Sequence, residues 1–448
     1  MTAISRLAQF AVHAVPPPDL RKVIAPAIAD CFGCILAGST SEVAMRATRA
    51  LGGFGAGPCP LFGTDQTLSA LFAPQVNAIA GHAWDLDDWE EPGNTHPTVV
   101  LLPALLAAST FRRTTGAELL AAYAVGTEII MRIGEAVSLD HYARGFHSTA
   151  TLGTIGVAGA VSSLLALSVD QTAHALSLAT STASGYTLQF GSNAKPLQAG
   201  WAARNGLEAA VLAAQGVTGQ PHVLDHARGF AGLQGNYDPS VFNAAMGKMG
   251  SPWALGEYGL VLKPWPSCGY THRLMTAAAN LRPAVNGRLW DITAIDTRLP
   301  DFHAEILPFN HPMSRAEALF SIPACVGQIL ASGSLTVADS EDAFWKSPAV
   351  SRLIQLTRVT AEPARNPNLN YDPDQPDLLR IEFNDGSAVS EACAFPLGAS
   401  QNPMTNAQLA AKYTALTGQP ERAFTDLLAW PDAQDSATFF KGYSNEPA

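Results

Sequence analysis

The sequence predicts a mainly α-helical fold in which a large all-helical domain carries a smaller α+β domain, and three observations lead there. Up to about residue 260 the apolar residues recur at helical spacing, with no alternation of period two. Beyond that point short β-branched runs appear between helical ones. The length of 448 residues, 47% of them hydrophobic, also exceeds the roughly 250–300 residues at which single cores stop growing. The expected division is 1–264 with 397–448 for the helical domain and 265–396 for the α+β domain.

Residues 20–37 place Val23, Ala27, Ile28, Cys31 and Ile35 on a helical period, with Pro17 and Pro18 before them and Gly38 after. A turn-rich patch (52–63) follows, then a helix over 69–84 that delivers an acidic stretch into a loop. Helices rich in Ala, Leu and Ile are expected over 98–111 and 116–137, with a polar loop over 138–147. The helix over 148–167 carries Gly153, Gly156 and Gly159. Glycine there costs helix propensity, so a closely packed neighbour must compensate. Asp170 is the expected N-cap of a helix over 171–183, and 197–215 is a further helix closed by Gly216.

In the second domain, strands are expected over 292–299, 354–361, 378–383 and 388–393. The last two are joined through Asp385-Gly386, a hairpin signal. Helices over 271–281 and 314–331 lie between them, 363–376 is a Pro- and Asn-rich loop, and 406–416 returns to helix and docks on the first domain.

Charged residues make up 15% of the chain, against about a quarter in soluble proteins. The shortfall implies that some surface is hidden between subunits, so a homo-oligomer is expected. A net charge of −11 offers no basic stripe for phosphates and speaks against nucleic acid and anionic membranes as partners. The six cysteines are scattered and read as reduced thiols; Cys31-x-x-Cys34 lies in an apolar helical run with no second pair to complete a zinc site. The N-terminus lacks the apolar core of a signal peptide. The uncharged run 148–169 is rich in Ser, Thr and Gly and lacks flanking basic asymmetry, which reads as a buried helix. A cytoplasmic location is expected.

The densest group of ionisable side chains lies in Gly81-His82-Ala83-Trp84-Asp85-Leu86-Asp87-Asp88-Trp89-Glu90-Glu91-Pro92-Gly93-Asn94-Thr95-His96-Pro97. If Asp85, Asp87 and Asp88 share a dry site, one should titrate high, because like charges disfavour joint ionisation. By itself the stretch admits a solvated acidic loop, or a metal site with His96 or a magnesium-diphosphate box, although no second aspartate-rich motif follows.

A third reading comes from resemblance. Asp85-Leu86-Asp87-Asp88 followed by His96-Pro97-Thr98 is similar to the MmgE/PrpD family pattern. So are Gly145-Phe146-His147-Ser148-Thr149, Ala194-Lys195-Pro196-Leu197-Gln198-Ala199-Gly200, Lys263-Pro264-Trp265-Pro266-Ser267-Cys268 with Thr271-His272, Phe320-Ser321 and Asn402-Pro403-Met404, in the same order over residues 10–420. The resemblance implies a homodimer and chemistry on small polycarboxylates without a redox cofactor or metal: dehydration of 2-methylcitrate, decarboxylation of cis-aconitate, or epimerisation of iminodisuccinate. All three move a proton at a carbon next to a carboxylate. Lysines suit carboxylate binding or enolate stabilisation, and histidines exchange protons near neutral pH.

The candidate acid and base groups are Asp85, His96, Tyr142, His147 and Lys263, and the candidate substrate-binding residues are Lys195, Cys268 and His272. Cys268 reads equally as a buried thiol or a proton carrier. Glu90 and Glu91 are expected to be bystanders. Around Lys263 the decarboxylases that this chain resembles carry a His where it has Cys268, and a Tyr where it has Ala324. Those departures direct the expectation to an epimerase or racemase acting on an amino- or imino-dicarboxylate, with a dehydratase or decarboxylase as the alternative and a catalytically silent helical binding protein as the rival from another class.

Overall fold

The computed structural model describes residues 1–444 apart from Asn236 and Pro367. Helices α1 (Ala3–His13), α2 (Arg21–Gly38), α3 (Glu42–Gly52), α4 (Phe72–His82), α5 (Pro97–Ala108), α6 (Gly116–Ala143), α7 (Ser148–Leu164), α8 (Val169–Thr180) and α9 (Ala194–Ala214) come first, interrupted by a small ladder of β1 (Cys59–Pro60) and β2 (Thr67–Leu68). Shorter helices α10 (Phe230–Gln234), α11 (Pro239–Gly247) and α12 (Ala254–Tyr258) complete this part.

Helix α7 is its axis, packed on α5, α6, α8 and α9. Nearly all its side chains are buried, as a helix that is apolar on every face requires. A Cβ on Gly156 or Gly159 would come within 2.3 Å of Ile130 and Ile129 of α6, so glycine is what permits that approach. Among the described residues no single helix is long and apolar enough to cross a membrane.

The second part contains α13 (His272–Val285), β3 (Ile292–Pro300), α14 (Asp301–Ile306), α15 (Arg315–Ala318), α16 (Ile322–Ser332), α17 (Val337–Glu341), α18 (Pro348–Leu356), β4 (Thr357–Glu362), β5 (Asp377–Phe383) and β6 (Ala388–Cys393). The sheet runs β4-β3-β5-β6, with β3 parallel to β4 and the other pairs antiparallel. Ile295 stands opposite Ile381 in the register. Strand β5 alternates between buried and more exposed positions, and α13, α16 and α18 pack on the sheet, which leaves the other face to solvent. The chain then returns through α19 (Asn406–Thr417), α20 (Glu421–Leu427) and α21 (Ser436–Ser444), whose apolar residues join the core of the first part.

The fold class follows the sequence, but several boundaries do not. The loop expected over 138–147 is mostly helix, because α6 continues to Ala143 and stops only where Gly145 takes a positive φ of 91°. The polar residues of this stretch read as a loop, but a helix end needs a residue that leaves the αR region. Ser168, not Asp170, caps α8: its side chain accepts from Gln171 N–H while Gln171 reaches back to the Ser168 N–H. The helix expected over 314–331 is broken, because Ser321 caps a new helix with Pro323 in its first turn. Residues 354–356 end α18 rather than begin a strand. The 363–376 loop contains Pro367, which lies outside the described residues; its later part is clamped by Arg273, which donates to the carbonyls of Asp372 and Gln375 and pairs with Asp377 at 3.1 Å.

Candidate active site

The loop between α4 and α5 is folded by its own acidic residues. The Glu90 carboxylate accepts from the N–H groups of Gly93 and Thr95 and from the Thr95 hydroxyl, closing a tight turn. Asp88 accepts from the Thr98 hydroxyl, which also bonds Tyr123 at 2.6 Å. Burial pushes the Asp88 carboxyl up to about 8 and the Glu90 carboxyl to about 7. Asp87 accepts from His82 Nδ1 at 2.8 Å and lies 3.3 Å from His96 Nδ1. Glu90 therefore shapes the site rather than standing by, and the acidic residues do not form one box: each carboxylate has its own partners.

Asp85 is the exception. It adopts a left-handed backbone with φ of 52°, a conformation that Asp tolerates better than most residues. This projects its carboxylate between two ammonium groups, with Lys263 Nζ 2.6 Å from Oδ1 and Lys195 Nζ 2.6 Å from Oδ2. Burial alone would raise this carboxyl, but Lys195 and Lys263, helped by His96, hold it well below the usual range. Lys263 is fully buried and also donates to the carbonyls of Asp85 (2.9 Å) and Ser267 (3.2 Å), so its three N–H groups are engaged. Lys195 has its ammonium between the rings of Phe190 and Phe320, 5.3 Å from each.

Hydrogen-bond partners settle the imidazole tautomers. His96 Nδ1 lies 2.8 Å from the Asp88 carbonyl, which can only accept, so Nδ1 carries the proton and Nε2 a lone pair. Gln198 donates its amide N–H to the Tyr186 carbonyl, which turns Oε1 toward His147 Nδ1 at 2.6 Å. His147 is therefore protonated on Nδ1, and its Nε2 has no hydrogen-bond partner among the described residues. Burial lowers His96 to about 3, and burial together with Lys195 holds His147 well below its ordinary value, so both are neutral at pH 7.

Three helices start here. His96 is the N-cap of α5, His147 the N-cap of α7, and Lys195 sits in the first turn of α9. None of the three has an acidic residue in its first turn, but Asp88 accepts from the Thr98 N–H of α5 at 3.4 Å, so the N-terminal dipole ends of α7 and α9 are the ones left to favour an anion.

These groups surround a small, partly open cavity. Of the residues expected from sequence, His96, Tyr142, His147, Lys195 and Cys268 line it. Asp85 and Lys263 are joined to that wall through Lys195. His272 does not reach it: its Nε2 faces Ser267 Oγ at 3.1 Å, inside the second part of the chain. Burial raises the Tyr142 hydroxyl well above its ordinary value and pushes the Cys268 thiol up to about 11, so both hold their protons at neutral pH. Trp89, Asn94, Phe190, Gly269 and Tyr270 complete the wall and are not among the site residues expected from sequence. Trp89 and Asn94 belong to the acidic stretch, but apolar and amide side chains carry no titration signal in a sequence.

Ligand-type atoms of His82, Asp85, Asp87 and His96 lie within 4.8 Å of one another. The two lysines on Asp85 and the histidine contacts of Asp87 already use the carboxylate oxygens that a cation would need.

Comparison with known proteins adds a family and a set of relatives. Residues 5–241 match the MmgE/PrpD N-terminal domain and residues 265–423 the MmgE/PrpD C-terminal domain. The chain is 30% identical over 361 residues to the cis-aconitate decarboxylase of Homo sapiens, covering 78% of this chain and 73% of that one. It is 29% identical over 427 residues to the cis-aconitate decarboxylase of Aspergillus terreus, covering 90% and 86%. These relatives overturn the isomerase expectation, because decarboxylases are lyases. That expectation leaned on Cys268 and Ala324. Ala324 is fully buried within α16 and outside the cavity wall, so it is a poor guide to chemistry.

Proposed function

The chain belongs to the MmgE/PrpD family, and from that premise we propose that it is a lyase releasing carbon dioxide from a cis-unsaturated tricarboxylate, with cis-aconitate the first candidate. The observation that carries the reading is the meeting of the α7 and α9 N-termini, Lys195 and His96 on one partly open cavity. Such a site suits an anion with several carboxylates, which the net charge of the chain would otherwise repel.

In cis-aconitate the departing carboxylate sits on a carbon allylic to the double bond. As that C–C bond breaks, its electron pair enters the allylic system and comes to rest on the carboxylate at the far end. Carbon dioxide leaves, and a proton added to the carbon beside the far carboxylate gives methylenesuccinate. The electrons stay in the substrate, so the step calls for no oxidant or reductant. Lys195 and the helix N-termini offset the charge that develops on the far carboxylate. The proton comes from a group that holds one in the cavity: the Tyr142 hydroxyl, the Cys268 thiol, or a histidine protonated when the anion binds. Phe190 gives the departing neutral carbon dioxide an apolar wall.

Incubation with cis-aconitate in deuterium oxide tests this. The expected result is released carbon dioxide and methylenesuccinate carrying one deuterium on its methylene chain carbon. Hydration of the double bond without gas release would instead support a hydro-lyase, and no turnover of either kind would overturn the proposal. A homodimer is part of the same reading, supported by the exposed apolar side chains of Leu188 and Trp201; light scattering at one chain's mass would refute it.

A further inference from the structure

Trp89 is 97% buried, lines the cavity, and has an indole N–H with no hydrogen-bond partner among the described residues. An unpaired buried donor is costly to the fold. Phenylalanine would supply an aromatic wall without that cost, so packing alone does not account for the indole nitrogen. The side chain is also held firmly. Its backbone exchanges hydrogen bonds with Val261 (3.1 and 2.8 Å), and its ring meets the edges of Tyr371 and Tyr270 at 5.1 and 6.3 Å. Beside the nitrogen stands Gly269, another wall residue, where a Cβ would lie only 3.0 Å from Nε1. A rigid donor, left unpaired beside a glycine in the wall of an anion cavity, is what a fixed ligand contact requires.

Resting on the carboxylate-lyase reading, we infer that the Trp89 indole N–H is a specificity-determining contact that donates to a carboxylate kept in the product, not to the one that leaves. A donor fixed on the departing group would lose its bond as that group becomes neutral carbon dioxide, and so would stabilise the ground state more than the transition state. A donor on the retained carboxylate strengthens as charge arrives there.

The test compares wild type with Trp89→Phe by calorimetric titration of cis-aconitate and of 2-methylmaleate, which is cis-aconitate without the departing carboxyl group. The expected result is a rise in Kd of about tenfold to a hundredfold for both ligands by the same factor, the size of one hydrogen bond to a charged group. Unchanged affinities would overturn the assignment, as would weakening confined to cis-aconitate, which would place the indole on the departing group. Wild type that binds neither ligand would instead overturn the parent reading and this one with it. If Trp89→Phe does not fold, indole N–H spectra of ¹⁵N-labelled wild type decide the matter: one of the eight tryptophan signals should move downfield on saturation with 2-methylmaleate, and no movement would refute the contact.

Discussion

Lys263→Met removes the cation that ties the two parts of the chain together at the site. The methionine fills similar volume, but three acceptors lose a partner: Asp85 Oδ1 and the carbonyls of Asp85 and Ser267. Removing one member of a buried ion pair costs about 3–5 kcal/mol, mostly because the other charge is left behind. At about 2.1 cal/mol/K per residue, unfolding of 448 residues carries an entropy of about 0.9 kcal/mol/K, so that loss lowers Tm by about 3–5 °C if the chain unfolds as one unit. Differential scanning calorimetry reads it, and the double variant Lys263→Met with Asp85→Asn supplies the control. The single variant leaves Asp85 with Lys195, and the double variant leaves Lys195 without its carboxylate, so the two losses should not add, since these residues act as one unit. A single variant within 1 °C of wild type, or a double variant whose losses simply add, would refute the account of Asp85 as a charge held between two lysines. Because all three Lys263 N–H groups are engaged within the protein, the variant should bind 2-methylmaleate with the Lys195 contact still in place.

Gln198→Leu takes away the acceptor that fixes the His147 tautomer. The expected outcome is a fall in kcat of about 10–100-fold with a smaller change in KM, and steady-state kinetics with an unchanged kcat would argue against His147 acting as oriented. Asp88 holds its proton up to about pH 8 in the folded chain, against 3.8 for an ordinary Asp. Between those values unfolding releases a proton, so the Asp88 contribution is complete below the unfolded pKa and is lost as pH rises, by about 1.4 kcal/mol per pH unit. Denaturation of Asp88→Asn across pH 5–8 should therefore decline less steeply than wild type, and parallel curves would contradict this. A polyanion entering the cavity raises the depressed pKa of His96 and His147, so ligand binding at neutral pH should take up protons. Calorimetry in buffers of different ionisation enthalpy checks this; proton release would refute it.

The legible parts of this chain were those written in periodicity and in charge. The 3.6 spacing of α2 and the alternation of β5 announced themselves, as did the acidic stretch, because a dense group of carboxylates is conspicuous in a chain with few charges. Helix ends were less legible, since Ser168 and Gly145 act through single side-chain and backbone geometries that a window average cannot register. The site was half legible. His96, His147 and Lys195 stood out through the family motifs that hold them, while Trp89 and Phe190 look in sequence like any other core residues. That Lys263 turns inward to Asp85 depends on the left-handed backbone at Asp85, and nothing in the residue types demands it.

The tautomers also bear on which way a proton must move. With Nδ1 of both His96 and His147 donating to fixed acceptors, the atoms left over are Nε2 lone pairs, which are bases and not acids. Decarboxylation needs the opposite, a proton given to carbon after the bond has broken. The Tyr142 hydroxyl and Cys268 thiol carry protons but hold them tightly, since burial raises both. A histidine that gains its proton only when the substrate's charge arrives would be the better donor, because that charge passes, as neutral carbon dioxide leaves, to the allylic system whose carbon then takes the proton. The depressed pKa values then have a use: they keep the site from holding a proton until an anion is present, and a substrate lacking the third carboxylate would recruit one less readily. On that argument the kcat/KM of wild type should fall as pH rises above neutrality even though the free histidines titrate far below it, and a profile that is flat from pH 6 to 9 would move the role of acid to Tyr142 or Cys268.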